Sequence, residues 1–229
     1  MNPVISHPWN VTPEEAKRIQ EKLREQVCQE PRLGPVHTVA GVDVGFRGDT
    51  AIAAVAVLSY PELELVDHAL AKLPVTFPYI PGLLAFREGP VVLEALARLR
   101  VEPDLLIFDG QGLAHPRRMG IASHIGVLMD KPSIGCAKSR LCGTHTEPGP
   151  ERGDWVPLYD DWEVIGAVLR TRPGVNPLYI SIGHRVDLET AIHYVLACCT
   201  RYRLPETTRA AHRLAAGEKP KAVQQPRLF

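Results

Sequence analysis

The 229-residue chain predicts an α/β fold on one mixed β-sheet, in which an antiparallel meander passes into parallel strands flanked by helices. Three observations carry this. Apolar segments over residues 38–46, 50–60 and 62–75 follow one another with only short breaks, as hairpin strands do. The apolar run Leu105-Leu106-Ile107-Phe108 is followed by a glycine-rich loop, a helical stretch and a second short strand, which makes a βαβ unit. The length suits a single domain, expected over residues 1–217, and 45% apolar residues are ordinary for a globular core. Residues 218–229 read as a flexible tail.

The elements follow in order. A helix is expected over residues 12–29, with Thr12 as N-cap and Pro13 at the first helical position. The first two strands turn at Arg47-Gly48-Asp49, and a third continues the meander to residue 75. A loop with two prolines leads into a helix that Pro90 should break or restart, running to residue 100. After the strand 105–108, Pro116 suits the first turn of a helix through Ile121, Ile125, Val127 and Leu128, and a strand follows at 133–137. Residues 141–160 read as a surface loop, 162–170 and 178–182 as strands, and 187–200 and 206–216 as helices.

Acidic residues stand where such a sheet places its ligands. Asp109 ends the apolar strand 105–108, at the strand tip where α/β sheets form crevices. The glycines after it, Gly110 and Gly112, allow the backbone close to a ligand. Two adjacent parallel strands would bring Lys138-Ser139 to the same edge, a plausible phosphate or metal site. Asp43 lies mid-strand, and alternation puts it on one face with Gly41 and Gly45, small neighbours that leave room for a ligand, while Ala40, Val42, Val44 and Phe46 face the core. A buried carboxylate there implies a cation, a partner or a shifted pKa, or simply a bond to a nearby backbone amide. Glu88 follows the stiff segment Pro78-Tyr79-Ile80-Pro81. Apolar residues at such a tip serve as wedges between stacked bases or pack on a neighbouring element, and the loop alone favours packing.

The motifs Val39-Ala40-Gly41-Val42-Asp43, Pro78-Tyr79-Ile80-Pro81-Gly82 with Phe86-Arg87-Glu88, and Asp109-Gly110-Gln111-Gly112 with Ala114-His115-Pro116-Arg117 occur in this order. Ala122-Ser123-His124, Ala137-Lys138-Ser139 and Pro205-Glu206-Thr207-Thr208-Arg209 with Ala211-His212 follow. Together they resemble the endonuclease V family, inosine-directed nucleases with an RNase H-like fold, over about residues 10–215.

The resemblance implies that Asp43, Glu88 and Asp109 bind Mg2+, with Mn2+ as a substitute, and that Lys138, His115 and His212 lie close to the scissile phosphate. It implies a wedge of Pro78, Tyr79, Ile80 and Pro81. A flipped hypoxanthine would be read mostly by backbone groups near Gly82, Leu84, Gly110, Gly112 and Ile121, with Ser139 and Arg117 as phosphate contacts. The implied reaction is hydrolysis of the second phosphodiester bond 3′ to deoxyinosine in DNA, leaving 3′-hydroxyl and 5′-phosphate ends. An inosine-specific endoribonuclease and a non-cleaving inosine binder are the alternatives. The chemistry agrees: magnesium prefers carboxylate oxygens and phosphates, and Lys138 can neutralise charge developing on phosphorus oxygens. By itself, His212 on its helix reads as surface or satisfied core, His115 is equally open to a structural role, and His124 reads as support or packing.

The remaining features set limits. Equal numbers of basic and acidic side chains, 26 each, give no general attraction to a polyanion, so local patches must supply it. From residue 201 onward seven cations face two acids, and with Arg117, Arg118, Lys138 and Arg140 they can rim an acidic pocket, or simply form a solvated face. Five cysteines without C-x-x-C spacing read as reduced packing thiols. The absence of a signal-like start or apolar span leads us to expect a cytoplasmic monomer. In the tail, Gln225, Leu228 and Phe229 resemble the peptides with which bacterial repair proteins grip the sliding clamp, against the simpler reading of a plain disordered end. An ATP-using enzyme on the same sheet would need a second glycine-rich phosphate loop, which the sequence lacks.

Overall fold

A computed structural model describes residues 1–218. The tail positions Gln225, Leu228 and Phe229 lie outside the described residues.

The meander forms as its alternation requires: β1 (Thr38–Arg47) pairs antiparallel with β2 (Thr50–Ser59), and β2 with β3 (Leu65–Pro74). β3 starts later than expected because residues 59–64 close a turn, in which the Leu63 N–H donates to the Ser59 carbonyl and the Ser59 N–H to Glu64. β1 also pairs in parallel with β4 (Leu105–Phe108), and β4 with β5 (Ser133–Ala137). β6 (Trp155–Asp160), β7 (Glu163–Leu169) and β8 (Leu178–His184) complete an eight-stranded sheet in the order β3-β2-β1-β4-β5-β8-β7-β6. β6 falls inside the expected loop 141–160. Its Pro157 argues against a central strand but is tolerated at this edge position.

Helices cover both faces. α2 (Leu84–Ala97) and α3 (Ile121–Met129) pack on Ala40, Val42, Val55 and Leu106. α4 (Leu188–Cys198) lies over Val39, Ile107, Ile134 and Ile180, and α5 (Glu206–Ala216) over Ala54 and Ala56. Pro90 sits inside α2 without breaking it, since the buried Phe86, Val91, Val92, Ala95 and Leu96 hold the helix although the Phe86 carbonyl loses its in-helix donor. α3 begins at Ile121, five residues after Pro116, because residues 113–119 wrap around the His115 side chain instead.

α1 (Pro13–Arg24) has the expected Thr12 capping box but stops short of residue 29. There the chain is drawn to the end of β8, where Cys28 N–H donates to His184 Nδ1 at 3.1 Å and Arg185 N–H to the Cys28 carbonyl. Ahead of α1, residues 1–11 run as a strap across the helices. Val4 N–H donates to the Leu128 carbonyl at 2.8 Å, and the Trp9 ring lies so close on α2 that a Cβ at Gly89 would come within 2.5 Å of it. His7 meets the fully buried His124 at 2.7 Å, Nε2 to Nε2. Burial lowers both pKa values, that of His124 to about 3, so the pair is neutral, and His124 packs as expected against Trp9 and Phe86.

On the face of β1 that carries Gly41, Asp43 and Gly45, the small residue Gly41 does not leave room for a ligand; it admits α5. A Cβ on Gly41 would lie 2.1 Å from the Thr207 carbonyl carbon, so the first turn of α5 rests directly on the strand. Phe46, expected in the core, is exposed at the end of the opposite face, where Arg87 stacks on it at 4.7 Å. Among the described residues no helix is long and apolar enough to cross a membrane, and Cys136, Cys198 and Cys199 are buried free thiols. Gly41→Ala is expected to cost about 3 kcal/mol by forcing α5 off the sheet. Urea unfolding measures this, and an unchanged midpoint would show that the contact is not as tight as the structure gives.

Candidate active site

Parallel pairing of β1, β4 and β5 gathers the charged residues at one sheet edge. Val42 is in register with Phe108, and Phe108 with Gly135. Asp109 therefore follows directly beside Asp43, its N–H donating to the Val42 carbonyl, and Lys138 leaves β5 on the other side. The Lys138 ammonium is ion-paired with Asp109 Oδ2. His212, on the exposed side of α5, donates from Nδ1 to Asp43 Oδ2 at 2.9 Å. Glu88 enters from the second turn of α2 rather than from the projecting loop.

The three acids share one electrostatic field. Burial above all, then the charges of Asp43 and Asp109, push the Glu88 carboxyl up to about 8. Burial likewise raises Asp109, against the opposing pull of Lys138. Among the described residues no three His, Cys, Asp or Glu side chains are arranged to hold one ion together. The donor chemistry nevertheless fits a hard divalent cation: three carboxylates, of which Glu88 is raised by burial and by its neighbours' charge, Asp109 is ion-paired with Lys138 and Asp43 is hydrogen-bonded to His212.

Beside this edge lies a cavity of about 300 Å³, within the range of small-ligand pockets, and Asp109 and Lys138 belong to its wall. The starts of two helices contribute to its lining. α2 starts at Leu83 with no side-chain cap and no acid in its first turn, and the amides of Leu84 and Ala85 have no acceptor among the described residues. α3 starts in the same way at Gly120, leaving the Ile121 amide without an acceptor among the described residues. Two uncapped, electropositive helix N-termini thus open on one cavity.

Of the expected base-reading positions, Gly82, Leu84, Gly110 and Ile121 line the cavity, whereas Gly112 does not. Gly112 is buried against β8, its N–H held by Ser181 Oγ at 2.9 Å. The Gly110 N–H is turned back onto the Phe108 carbonyl. Tyr79 projects at the cavity mouth with 70% of its surface exposed, flanked by exposed Pro78 and Pro81, while Ile80 packs on Phe77, Leu83 and Phe86. Ser139 is exposed on the rim, and its carbonyl accepts from Gln111 Nε2.

Two expected contacts with phosphate have other partners. His115 is 3% exposed. Its Nδ1 accepts from the Arg117 and Met119 amides, which leaves Nε2 to donate to the Gly82 carbonyl at 3.0 Å. Burial, with Arg117 nearby, lowers its pKa to about 4, so it is a neutral loop clamp rather than a proton donor. Arg117 turns inward to the Gly82 carbonyl and to Gln20 Oε1, both at 2.6 Å. Arg118 is likewise removed from a basic rim by Asp160 and Glu163. Gln20 itself was not legible as a site residue. Its signal is a polar side chain in the buried stripe Ala16, Gln20, Leu23 of α1.

A family model described as endonuclease V matches residues 21–213. Endonuclease V of Roseiflexus sp. (strain RS-1) is 61% identical over 216 residues, covering 94% of this chain and 97% of its own. Among solved structures, endonuclease V of Streptomyces avermitilis is 45% identical with a TM-score of 0.87, over 94% of this chain and 96% of that one. Endonuclease V of Ciona intestinalis, in complex with a 23mer DNA containing an inosine followed by a ribo-adenosine, is 30% identical with a TM-score of 0.78, over 90% and 97%.

The raised Glu88 pKa has a signed consequence for the metal-free chain. A carboxyl whose folded pKa lies near 8, above its ordinary 4.5, contributes stability that is complete below about pH 4.5 and lost as pH rises through 8. Glu88→Gln, which cannot ionise, should therefore match the parent at pH 4.5 and exceed it by roughly 2–4 kcal/mol at pH 8.5 in chelator. Denaturant unfolding at both values checks this, and a difference independent of pH would refute it.

Proposed function

Because the chain belongs to the endonuclease V family, we propose that it is a divalent-metal-dependent nuclease that incises DNA at the second phosphodiester bond 3′ to deoxyinosine. The products are 3′-hydroxyl and 5′-phosphate ends, and the reaction serves the repair of deaminated adenine. The observation that carries this reading is the shared wall: the cavity opened upon by two helix N-termini includes Asp109 and Lys138 of the acidic edge. A base held in the first therefore places its own strand across the second.

The free amides favour a keto purine. Hypoxanthine presents an acceptor oxygen at position 6, where adenine presents an amino donor that would face the Leu84, Ala85 and Ile121 N–H groups unpaired. Rejection through an unpaired buried polar group is stronger than rejection by shape alone. Extruding the base costs least at a weak pair, and Tyr79 stands at the mouth to fill the gap it leaves.

Asp43, Glu88 and Asp109 would hold magnesium or manganese. A bound ion supplies Lewis-acid stabilisation of the charge on the departing 3′ oxygen and lowers the pKa of the attacking water. Lys138, held by Asp109, pairs with a non-bridging phosphate oxygen as negative charge grows there. His212 fixes the rotamer of Asp43 and keeps an imidazole edge exposed at the phosphate side of α5. Water adds to phosphorus, the P–O3′ bond breaks, and the 3′ oxygen takes up a proton. The ribo-adenosine after the inosine in the DNA bound by the Ciona protein favours a second reading, incision of inosine-containing RNA.

The test is incision of a labelled duplex bearing one deoxyinosine, alongside the matched inosine RNA, in magnesium. We expect a single cut one nucleotide 3′ of the inosine, and its loss by about 10²–10³-fold or more in Asp43→Ala. The ratio of the DNA and RNA rates assigns the substrate. Inosine binding without cleavage of either strand type would overturn the proposal.

A further inference from the structure

We propose that Gln20 is the positioning residue for lesion selection: its one carboxamide fixes the two backbone walls of the cavity against each other. The inference rests on the reading of that cavity as the base pocket, and it concerns α1, an element that contributes no acid to the active edge.

Gln20 is 1% exposed on the buried side of α1, where an unpaired amide would be costly. Its bonding is complete at both ends. The two Nε2 hydrogens go to the carbonyls of Gly82 and Met119, each at 3.1 Å, and Oε1 accepts from Arg117 Nε at 2.6 Å. Gly82 stands two residues before Leu84, the first free amide of α2, and Met119 two residues before Ile121, the free amide of α3. A carbonyl fixes the peptide plane that follows it. The same side chain therefore sets the entry of both helices, and with it the spacing of the amides that would meet a base.

The Gly82 side of this junction is tightly specified. Its carbonyl also accepts from His115 Nε2 at 3.0 Å and from Arg117 at 2.6 Å. The residue sits at φ +79, where a Cβ would lie 2.9 Å from the Arg117 guanidinium. Met119, by contrast, has a carbonyl held by Gln20 alone among the described side chains. Removing the carboxamide frees the α3 wall first, which would blur the distinction between a keto and an amino purine. The charged edge, built from β1, β4, β5, α2 and α5, keeps its own contacts.

The experiment uses the full chain with Gln20→Met, which keeps length and apolar packing but cannot donate. Binding of labelled strands carrying one deoxyinosine or one adenine is measured in chelator, and steady-state incision in magnesium. We expect the inosine-over-adenine binding preference to fall about tenfold and KM to rise by a similar factor, with kcat within about threefold of the parent. Affinities for the two strands that fall together, a fall in kcat alone, or an unchanged preference would each assign Gln20 to packing and overturn the proposal. A parent chain with no preference for inosine would instead refute the pocket reading. Should Gln20→Met not fold, Gln20→Asn, which keeps the amide but is too short to reach both carbonyls, is judged by the same outcomes.

Discussion

Burial of carboxylates within reach of one another's charge, at one edge of a low-dielectric sheet, is the constraint around which the rest of this structure is arranged. The parallel register of β1 and β4 forces Asp43 and Asp109 side by side, and α2 brings Glu88 into their field. Each remedy has a structural address. Lys138 reaches Asp109 because β5 runs parallel to β4, and His212 reaches Asp43 because Gly41 lets α5 lie flat on β1. What remains unbalanced is the Glu88 carboxyl, which the fold keeps protonated unless a cation joins it. On the proposed function, this edge is where a protein of no net charge would take up a metal ion and, through it, a phosphate.

The neighbouring cavity solves a different problem with different means. In the proposed function it would hold a flat, neutral, polar group through peptide amides at two helix starts. Amides at helix starts are fixed by the helices behind them, so they discriminate without the entropy cost of ordering long side chains. The cost is transferred to the loops: residues 78–82 and 113–119 take irregular paths that the buried His115 and the half-buried Arg117 clamp at Gly82.

Where local pattern decides, the sequence was readable. The apolar run of β4 and the glycine loop after it were enough to place Asp109 and Lys138 at one edge, and the alternation of β1 gave the face of Asp43, while only the family resemblance joined Asp43 to them. Patterns failed where tertiary contacts override local preference. Pro90 is tolerated because α2 is buried over much of its length, and Pro157 because β6 is an edge. The roles of Gly112, His115 and Arg117 could not be read, since a motif gives proximity but not direction: all three lie in the signature segment, yet their bonds turn toward β8 and Gly82. Gln20 was missed for the opposite reason, being distant in sequence from every motif while its carboxamide reaches two of the cavity's walls.

The strap formed by residues 1–11 changes what counts as the functional unit. Trp9 lies on Gly89, the residue after Glu88, and shields Phe86 and His124 from water together with His7. A chain begun at α1 would retain every acid and every cavity amide, yet the helical turn bearing Glu88 would lose the aromatic cover behind it. The outermost segment of the protein is thus mechanically part of its innermost charge cluster, and length at the N-terminus is a determinant of how firmly the third carboxylate is held.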